Sequence, residues 1–322
     1  MKAAVVHGFG DIPQYEDFID PAAGGNDLTV RVKAAALENF DRMTVSGEHY
    51  ASKHLFPQFP AVVGHSGVGT LEDGTLVAFG GVRPPFGAIA EIAVVPNESR
   101  TFVTPVPQGI DAALAAALPA SVLTSLLPLR YGAKLQPRET VLVNGATGVA
   151  GKLAVQIATV LGAGKVVGTG RDEGNLATLA ALGAVTIDLK APDDEVARAF
   201  AKEAGEGYDV VLDFLWGRPA ELLLGTLVPR EVAFARRRVR FVQIGQAAGP
   251  TISLAAAAVR TSGLELTGAG NISSEVVADA MKQTWEWIRE GTLHADVHRA
   301  SLKDVAQAWN HRTEGARTVI VL

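Results

Sequence analysis

The chain has 322 residues, of which 48% are hydrophobic and 20% charged, and its formal net charge is −5. This length exceeds what one hydrophobic core usually organises and predicts two domains, while the negative charge argues against binding of nucleic acid or of an anionic membrane. The absence of cysteine excludes disulfides, thiolate zinc sites, iron–sulfur clusters and a cysteine nucleophile, and it suits a protein of the reducing cytoplasm.

The first hundred residues alternate short apolar runs with glycine and proline. This pattern predicts short strands and a small barrel or sandwich. Because the first strand starts directly after Met1-Lys2, we expect no signal peptide. The predicted strands are Ala3–His7, Leu28–Ala34, Gly67–Leu71, Thr75–Phe79 and Ala88–Val95.

After Pro107 the chain changes to alternating strands and helices. The apolar stretch Ile110–Leu129 contains an aspartate and two prolines, so it predicts a buried helical region and not a membrane span. A helix is predicted over Val149–Leu161, where an apolar residue recurs every four positions. Strand–helix alternation predicts an α/β fold with a parallel, doubly wound sheet. Its predicted strands are Thr140–Val143, Lys165–Gly168, Val185–Asp188, Asp209–Asp213, Arg240–Ile244 and Leu264–Thr267.

Past residue 270 the alternation stops. A helix near Ser274–Glu290 is predicted, then a second helix and a final strand over Thr318–Leu322. Since the sheet already has its six strands, we expect this tail to return to the first domain. The predicted domains are therefore residues 1–119 completed by 271–322, and residues 120–270.

The most informative segment leads from the strand at Thr140 through Asn-Gly-Ala-Thr-Gly-Val-Ala-Gly into a helix. Gly145 permits a tight turn, Gly148 lets the backbone approach a pyrophosphate, and Gly151 allows close packing of the helix on the strand. Phosphates would face free N–H groups at the helix N-terminus, where the dipole favours negative charge. The segment predicts a dinucleotide-binding Rossmann domain, although Gly145 and Gly148 are three apart and not two.

The residue after the next strand indicates which dinucleotide binds. NAD-binding sites have an acidic residue about 20 positions past the glycine motif, and this chain has Arg171 there. A guanidinium pairs with the 2′-phosphate of NADPH, which an acid would repel. NADH stays an alternative, because Asp172 next door could bind the ribose diol, and so does a purely solvated Arg171.

Ligands of doubly wound sheets bind outside the carboxyl ends of the strands, so several strand ends should line the same crevice. The residues predicted to contact the cofactor are Thr124, Asn144, Gly145, Thr147, Gly148, Val149, Ala150, Gly170, Arg171, Phe214, Leu215, Ile244, Gly245, Gln246 and Asn271.

These residues resemble a known family. The glycine turn, Leu118–Thr124 and Arg240–Gly245 are similar to the medium-chain dehydrogenase/reductase superfamily, and within it to the zinc-free quinone oxidoreductases. Ala34–Asp41 and Pro60–Gly69 resemble that superfamily too, as does the C-terminal strand, so the likeness spans nearly the whole chain. It implies a GroES-like first domain beside the Rossmann domain, hydride transfer without a flavin, and a homodimer joined through Rossmann-domain edges.

The sequence departs from the family at the zinc positions. Zinc dehydrogenases of this superfamily carry a cysteine, a His-Glu pair and a further cysteine or histidine around the catalytic metal. Here Glu38 stands at the first cysteine position, His65-Ser66 replaces the His-Glu pair, and the last ligand falls near Ala120. One histidine and one carboxylate make a poor tetrahedral set, so we expect no metal. The zinc-free reductases usually have Asn where Glu38 stands, and here Asn39 follows it.

Without a metal, hydride transfer depends on positioning the substrate and stabilising the charge that develops on oxygen. A quinone or enone also needs a proton. Glu38, Asn39 and His65 are the predicted catalytic residues. Partial burial would raise the pKa of Glu38 and make it a proton donor, with a salt bridge as the alternative. His65 is alternatively a hydrogen-bonded relic of the metal site, and Asp41 an acid that orders local backbone.

We therefore expect an NADPH-dependent, zinc-independent reductase of quinones, enones or related electron-poor carbonyl compounds, acting on a small molecule in the cytoplasm. Two alternatives stay open. One is an alcohol dehydrogenase with an atypical zinc site built on Glu38 and His65. The other is a non-catalytic NADPH-binding redox sensor.

Overall fold

The computed structural model describes residues 1–97, 102–228, 237–270, 275–311 and 315–322. In chain order its strands are β1 (Lys2–Val6), β2 (Gln14–Asp17), β3 (Leu28–Ala36), β4 (Ala61–Val62), β5 (Ser66–Thr70), β6 (Leu76–Gly80), β7 (Ile92–Val95), β8 (Phe102–Pro105), β9 (Thr140–Asn144), β10 (Lys165–Gly170), β11 (Val185–Asp188), β12 (Val210–Asp213), β13 (Val239–Gln243), β14 (Leu264–Gly268), β15 (Asp296–Ser301) and β16 (Ala316–Val321). The helices are α1 (Asn39–Val45), α2 (Ser52–Leu55), α3 (Ala112–Ala117), α4 (Pro119–Leu127), α5 (Val149–Val160), α6 (Glu173–Ala181), α7 (Asp193–Ala204), α8 (Gly217–Thr226), α9 (Ala256–Thr261), α10 (Glu275–Glu290) and α11 (Val305–Asn310).

The chain forms two compact units. The first comprises Met1–Pro119 and Asp296–Leu322, and the second comprises Ala120–Ala295. The sequence analysis assigns residues 271–295 to the first domain, so the return point needs correction to residue 296. The reason is a long-range contact. The amide side chain of Gln156 on α5 exchanges two hydrogen bonds, of 2.9 and 2.8 Å, with the backbone of His294, which holds the segment after α10 in the second unit.

The first unit is rich in antiparallel β-structure. Among the described residues, its larger sheet has the strand order β15-β16-β3-β5-β6-β8, with β7 also pairing with β3, and a smaller sheet has the order β2-β1-β4. Along β3, Val30, Val32 and Ala34 are buried while the residues between them are exposed, as a strand with one face on a core requires. β16 pairs antiparallel with β3, so the C-terminal strand completes this unit. The β-rich fold class predicted for the first domain is confirmed.

The second unit contains the predicted parallel sheet. Among the described residues, its strand order is β11-β10-β9-β12-β13-β14, and every neighbouring pair is parallel. Numbered within the unit, this is the order 3-2-1-4-5-6 of the Rossmann fold, which confirms the prediction. Successive strands are added on one side of β9 as far as β11 and then on its other side from β12 onward, so the strand order reverses between β9 and β12. In such sheets the crevice at the carboxyl ends of these two strands is where ligands bind.

In the part of the chain that the structure describes, one helical run, Ala112–Gly132, is long and apolar enough to cross a membrane. Of its most apolar window, 67% is buried inside the protein. This extent of burial agrees with the buried helical region expected from the sequence between Ile110 and Leu129.

Candidate functional site

The glycine turn links β9 to α5 at the reversal point of the parallel sheet. Gly145 adopts φ +92°, and a Cβ placed on it would lie 2.9 Å from the Leu215 side chain. Gly148 is the N-cap of α5, and no side chain caps the helix. A Cβ built on Gly148 would meet nothing within 4 Å. The turn therefore presents exposed backbone at a helix N-terminus with open space in front of it, the arrangement that accepts a phosphate group.

Gly151 has a different role from Gly148. A Cβ on Gly151 would collide with the carbonyl oxygen of Gly145 and would lie 2.6 Å from the Cα of Ala146. The sequence analysis expects Gly151 to pack the helix against a strand. The structure corrects the partner: the first turn of α5 packs directly on the backbone of the glycine turn.

A buried polar network lies beneath the turn. Asn144 donates through Nδ2 to Asp213 Oδ1 at 2.8 Å, and its Oδ1 accepts the Thr169 hydroxyl at 2.8 Å. The Thr169 oxygen accepts the N–H of Gly145 at 3.0 Å. Asn144 is predicted to contact the cofactor, but it is fully buried and both ends of its amide are bonded inside the protein, so it supports the turn from behind. The sequence analysis overlooks Thr169, although polar residues at the ends of neighbouring buried strands are a signal for such a network.

Arg171 lies immediately after β10 and is exposed. Within the described residues it makes no hydrogen bond and no ion pair, whereas Asp172 is engaged: it caps α6 and accepts both the backbone N–H and the side-chain amide of Asn175, each at 2.7 Å. At the same strand end, the Thr147 side chain packs on Gly170, where any Cβ would collide with it. The glycine turn and the Arg171 position are therefore neighbours in the second unit.

The segments that follow β12 and β13 are bonded to each other. Ala248 donates its N–H to the carbonyl of Leu215 at 2.8 Å, and Ile244 donates to the carbonyl of Asp213 at 2.8 Å. Gly245 is so close to Phe214 that a Cβ would lie 2.6 Å from the Phe214 carbonyl oxygen. Together with the contact between Gly145 and Leu215, this brings one set of predicted cofactor residues to one end of the sheet: Gly145, Phe214, Leu215, Ile244, Gly245 and the exposed Gln246.

The remaining predicted cofactor residues are placed as follows. Val149 and Ala150 open α5, and the Ala150 carbonyl accepts the hydroxyl of Ser125 on α4 at 2.9 Å. Thr124, the residue before Ser125, is exposed and donates its own hydroxyl to the Ala120 carbonyl at 2.6 Å. Asn271 lies outside the described residues.

In the first unit, Glu38, Asp41 and His65 form a charged cluster, which we call the His65 cluster. Asp41 is 3% exposed; its Oδ2 accepts the N–H of Glu38 at 2.8 Å and its Oδ1 lies 3.0 Å from His65 Nδ1. On the other side of the ring, Glu38 Oε2 is 3.8 Å from His65 Nε2. Within the described residues, Glu38 Oε1 is buried without a hydrogen-bond partner. Asn39, the third predicted catalytic residue, is exposed at the start of α1.

The electrostatics of the cluster favour a charged imidazole. Burial lowers the pKa of His65, but the carboxylates of Asp41 and Glu38 outweigh burial and the repulsion from Arg317, and they raise the pKa to about 9. His65 is therefore protonated at neutral pH, with 34% of its side chain exposed. From the sequence, Glu38 is open between a proton donor and a salt-bridge partner, and Asp41 is expected to order local backbone, as its hydrogen bond to the N–H of Glu38 does. In the structure His65 lies between the two carboxylates, with Asp41 as the hydrogen-bond partner of Nδ1.

A row of aromatic rings continues from His65. Phe40 packs edge-to-face on His65 and on His49, with ring centroids 5.0 and 5.3 Å apart, and His49 lies 4.2 Å from the ring of Tyr50. Tyr50 is 94% exposed. Burial lowers the pKa of His49, which keeps this second imidazole neutral.

The donor set of the cluster does not fit a zinc ion. His65 Nδ1 faces Asp41 and Nε2 faces Glu38, so the three side chains do not converge on one point. Only Glu38 and His65 Nε2 share a side, one donor fewer than the three protein ligands of catalytic zinc. Across the described residues, no group of three or more His, Cys, Asp and Glu side chains is arranged to hold a metal.

Comparison with known proteins agrees with this fold. A family model described as zinc-binding dehydrogenase matches residues 182–318. A quinone oxidoreductase from Pseudomonas syringae pv. Tomato DC3000 is 28% identical, with a TM-score of 0.81 and 100% of each chain covered. The quinone oxidoreductase from Thermus thermophilus, solved also in complex with NADPH, is 26% identical, with a TM-score of 0.73 and 100% of each chain covered. An NAD-dependent alcohol dehydrogenase from Sulfolobus acidocaldarius is 26% identical over 258 residues, 67% of this chain and 71% of that protein.

The protein is an oxidoreductase. This follows from its Rossmann sheet with an open glycine turn, its antiparallel β-rich unit and its similarity to these relatives. The family model and the quinone oxidoreductase relatives support its assignment to the medium-chain dehydrogenase/reductase superfamily, in the quinone oxidoreductase-like group. This confirms the family resemblance drawn from the sequence.

Proposed function

We propose that this protein is an NADPH-dependent, zinc-independent reductase that transfers hydride to a quinone, an enone or a related electron-poor carbonyl compound. The observation that carries the proposal is the glycine turn, where Gly148 leaves open space before an uncapped helix N-terminus. The quinone oxidoreductases of Pseudomonas syringae and Thermus thermophilus, the latter in complex with NADPH, support it. When bound, the reduced nicotinamide would supply the hydride.

The preference for NADPH over NADH rests on the residues after β10. Arg171 is exposed and, in the described part of the chain, has no competing carboxylate partner, so it can take up a 2′-phosphate. Asp172 is the residue that would favour NADH, but its carboxylate already caps α6 and binds Asn175. Rotating that carboxylate toward a ribose would break these hydrogen bonds.

Reduction of a quinone to a hydroquinone takes one hydride and one proton, and we assign delivery of the proton to His65. Asp41 holds the ring through Nδ1, which leaves Nε2–H as the donating group. Glu38 Oε2, at 3.8 Å from Nε2, is beyond hydrogen-bond distance and stabilises the charged ring without binding its proton. Asn39, exposed next to Glu38, offers an amide that could bind a substrate oxygen.

The rings of Phe40, His49 and Tyr50 favour a planar acceptor. Aromatic rings pack on flat, electron-poor molecules through offset or edge-to-face contacts. Phe40 contacts the proton-carrying His65, His49 contacts Phe40, and Tyr50 contacts His49. These rings support our proposal of quinones over flexible aldehydes among the substrate classes.

The second candidate is an alcohol dehydrogenase, which the similarity to the NAD-dependent enzyme of Sulfolobus acidocaldarius favours. A catalytic zinc would need a third ligand beside Glu38 and His65, and we propose that none is bound. Elemental analysis of the purified protein separates the two: one tightly held zinc per chain would support the alcohol dehydrogenase, whereas activity that survives chelators supports the reductase.

We propose that the protein acts as a homodimer in the cytoplasm. β14 is an edge strand of the parallel sheet, most of its residues are exposed, and Leu266 on it is 42% exposed. Open strand edges pair readily with a second copy. A cytoplasmic location suits a chain without cysteine. Sedimentation of the full chain tests the dimer, and a monomer at micromolar concentration would contradict it.

The proposed function is tested by titrating the protein with NADPH and NADH by fluorescence, and then by measuring turnover of a panel of quinones and enones. We expect tighter binding of NADPH and turnover of at least one class. NADPH binding without any turnover would support the redox sensor instead, and no binding of either nucleotide would contradict the proposal itself.

A further inference from the structure

We propose that Asp213 is a positioning residue: its carboxylate sets the direction of a hydrogen-bond relay that fixes the glycine turn, and at the same time holds the backbone of the segment that follows β12. This inference rests on the proposed function in one respect: the ligand that binds at the turn is taken to be NADPH. Asp213 ends β12 and is fully buried. Nothing in the reduction chemistry uses it.

The first observation is the set of donors that converge on Asp213. Its Oδ1 accepts from Asn144 Nδ2 at 2.8 Å and from the N–H of Leu215 at 3.1 Å, and its Oδ2 accepts from the N–H of Trp216 at 3.1 Å. Burial raises the pKa of Asp213, and these donors oppose the rise. A buried carboxylate with donors from a neighbouring strand and from its own following loop is placed to control both.

The second observation is the polarity of the relay. A carboxylate only accepts hydrogen bonds, so the amide nitrogen of Asn144 must face Asp213 and its oxygen must face Thr169. The Thr169 hydroxyl then has to donate to Asn144, which leaves its lone pairs to accept the N–H of Gly145. The charge on Asp213 therefore determines, through two side chains on adjacent strands, where the first amide of the glycine turn points.

The third observation is the backbone of the loop after β12. Trp216 has φ 55° and ψ −154°, a conformation that residues with a Cβ seldom adopt. Both oxygens of Asp213 lie within 3.2 Å of the Trp216 nitrogen. This loop also contains Leu215, which packs on Gly145. Asp213 thus holds the loop in a strained conformation against the turn, and loss of its charge should loosen both together.

The test compares Asp213→Asn with Asp209→Asn in the full chain. Asp209 precedes β12 at its other end and accepts the N–H of Thr140 at 2.8 Å, so it is a partly buried carboxylate that joins the same two strands away from the turn. We expect Asp213→Asn to weaken NADPH binding by about tenfold, while the two variants lose a similar amount of thermal stability. Faster hydrogen exchange at the Gly145 amide should accompany the loss only in Asp213→Asn.

Normal NADPH affinity in Asp213→Asn, or an equal loss of affinity in Asp209→Asn, would overturn the role of Asp213. If Asp213→Asn does not fold, Thr169→Val carries the test, because it removes only the hydroxyl of the relay. We expect Thr169→Val to bind NADPH about threefold more weakly, and unchanged affinity would again overturn the proposal. Failure of the unaltered protein to bind any nicotinamide nucleotide would contradict the proposed function instead, so the two failures are distinguishable.

Discussion

At the glycine turn the groups that face solvent are backbone amides, and the side chains beneath them, Asn144, Thr169 and Asp213, are buried and bonded to one another. At the His65 cluster the acting groups are themselves side chains, one of them a partly exposed imidazolium, and a buried oxygen of Glu38 has no partner among the described residues. The first region presents backbone to its ligand and is in that sense defined by shape, so added atoms should damage it most, although the buried carboxylate of Asp213 supports it from beneath. The second is defined by charge, so pH and neutral substitutions should damage it. Variants of each region, assayed for cofactor affinity, turnover and stability, test this difference.

The largest effect is expected at Gly148. In Gly148→Val the side chain would fill the space in front of the helix N-terminus, so NADPH affinity should fall by about 100-fold or more while the fold persists. Gly225→Val is a matched control, because Gly225 on α8 also has nothing within 4 Å of its Cβ position. Affinity is measured by fluorescence titration and stability by thermal unfolding. Normal NADPH binding in Gly148→Val would remove the main physical support of the proposed function.

Gly151→Val distinguishes a clash with the protein's own backbone from a clash with the ligand. Its Cβ would collide with the backbone of the turn, so we expect a loss of stability of about 1–3 kcal/mol in addition to weaker binding. A Gly151 variant as stable as the wild type would show that the turn yields to the added atoms, contrary to the packing described above.

The next effect concerns the charged region. His65→Gln removes the proton carrier but keeps a polar side chain, so turnover of a quinone should fall by roughly 100-fold while NADPH affinity stays unchanged. His7→Gln, at an exposed histidine of the same unit that pairs with Glu16, is the control. If His65→Gln keeps its turnover number, the proton comes from another group or from water.

Arg171→Ala tests the one charged side chain that we assign to cofactor binding beside the glycine turn. Loss of one contact to the 2′-phosphate should weaken NADPH by about tenfold, or about 1.4 kcal/mol, and leave NADH unchanged. Arg198→Ala, at an exposed arginine on α7 of the same unit that pairs with Asp194, should change neither affinity. Equal affinity of the wild type for both nucleotides would contradict the assignment.

The parallel sheet could be predicted almost strand by strand because each strand is a short apolar run between helix patterns, and β11 has the bounds that the sequence indicates. The strands of the first unit are harder to predict from the sequence. β2 and β15 are polar edge elements with exposed or half-buried residues, so no alternation marks them. The position of residues 271–295 depends on the pairing of Gln156 with His294, which are 138 residues apart, and local patterns carry no information about it.

The same distinction holds at the site. The glycine turn is one contiguous motif and Arg171 stands at a fixed distance after it, so the sequence pattern indicates both. The role of Asn144 depends on Asp213, 69 residues away, and the role of Asp41 depends on His65, 24 residues away. A candidate list made from the sequence therefore names segments but cannot say which side chain faces the ligand and which one supports it.

The smallest effect expected is a pH dependence of stability that originates in the His65 cluster. The pKa of His65 is about 9 in the folded protein, above the ordinary value of 6.5. Because the folded value is the higher one, the pairing with Asp41 and Glu38 contributes fully below about pH 6.5 and is lost as the pH rises through about 9. The shift corresponds to about 3 kcal/mol, and since a third of the ring is exposed, screening should reduce the contribution to about 1 kcal/mol.

Thermal midpoints of the wild type and of His65→Gln should therefore differ most near pH 6 and converge near pH 10. Arg317 also faces the ring, but it stays charged over this range, so it leaves the difference between the two proteins intact. A difference that is constant between pH 6 and pH 10 would mean that His65 does not titrate in this window, and the charge-defined character of this region would then rest on its carboxylates alone.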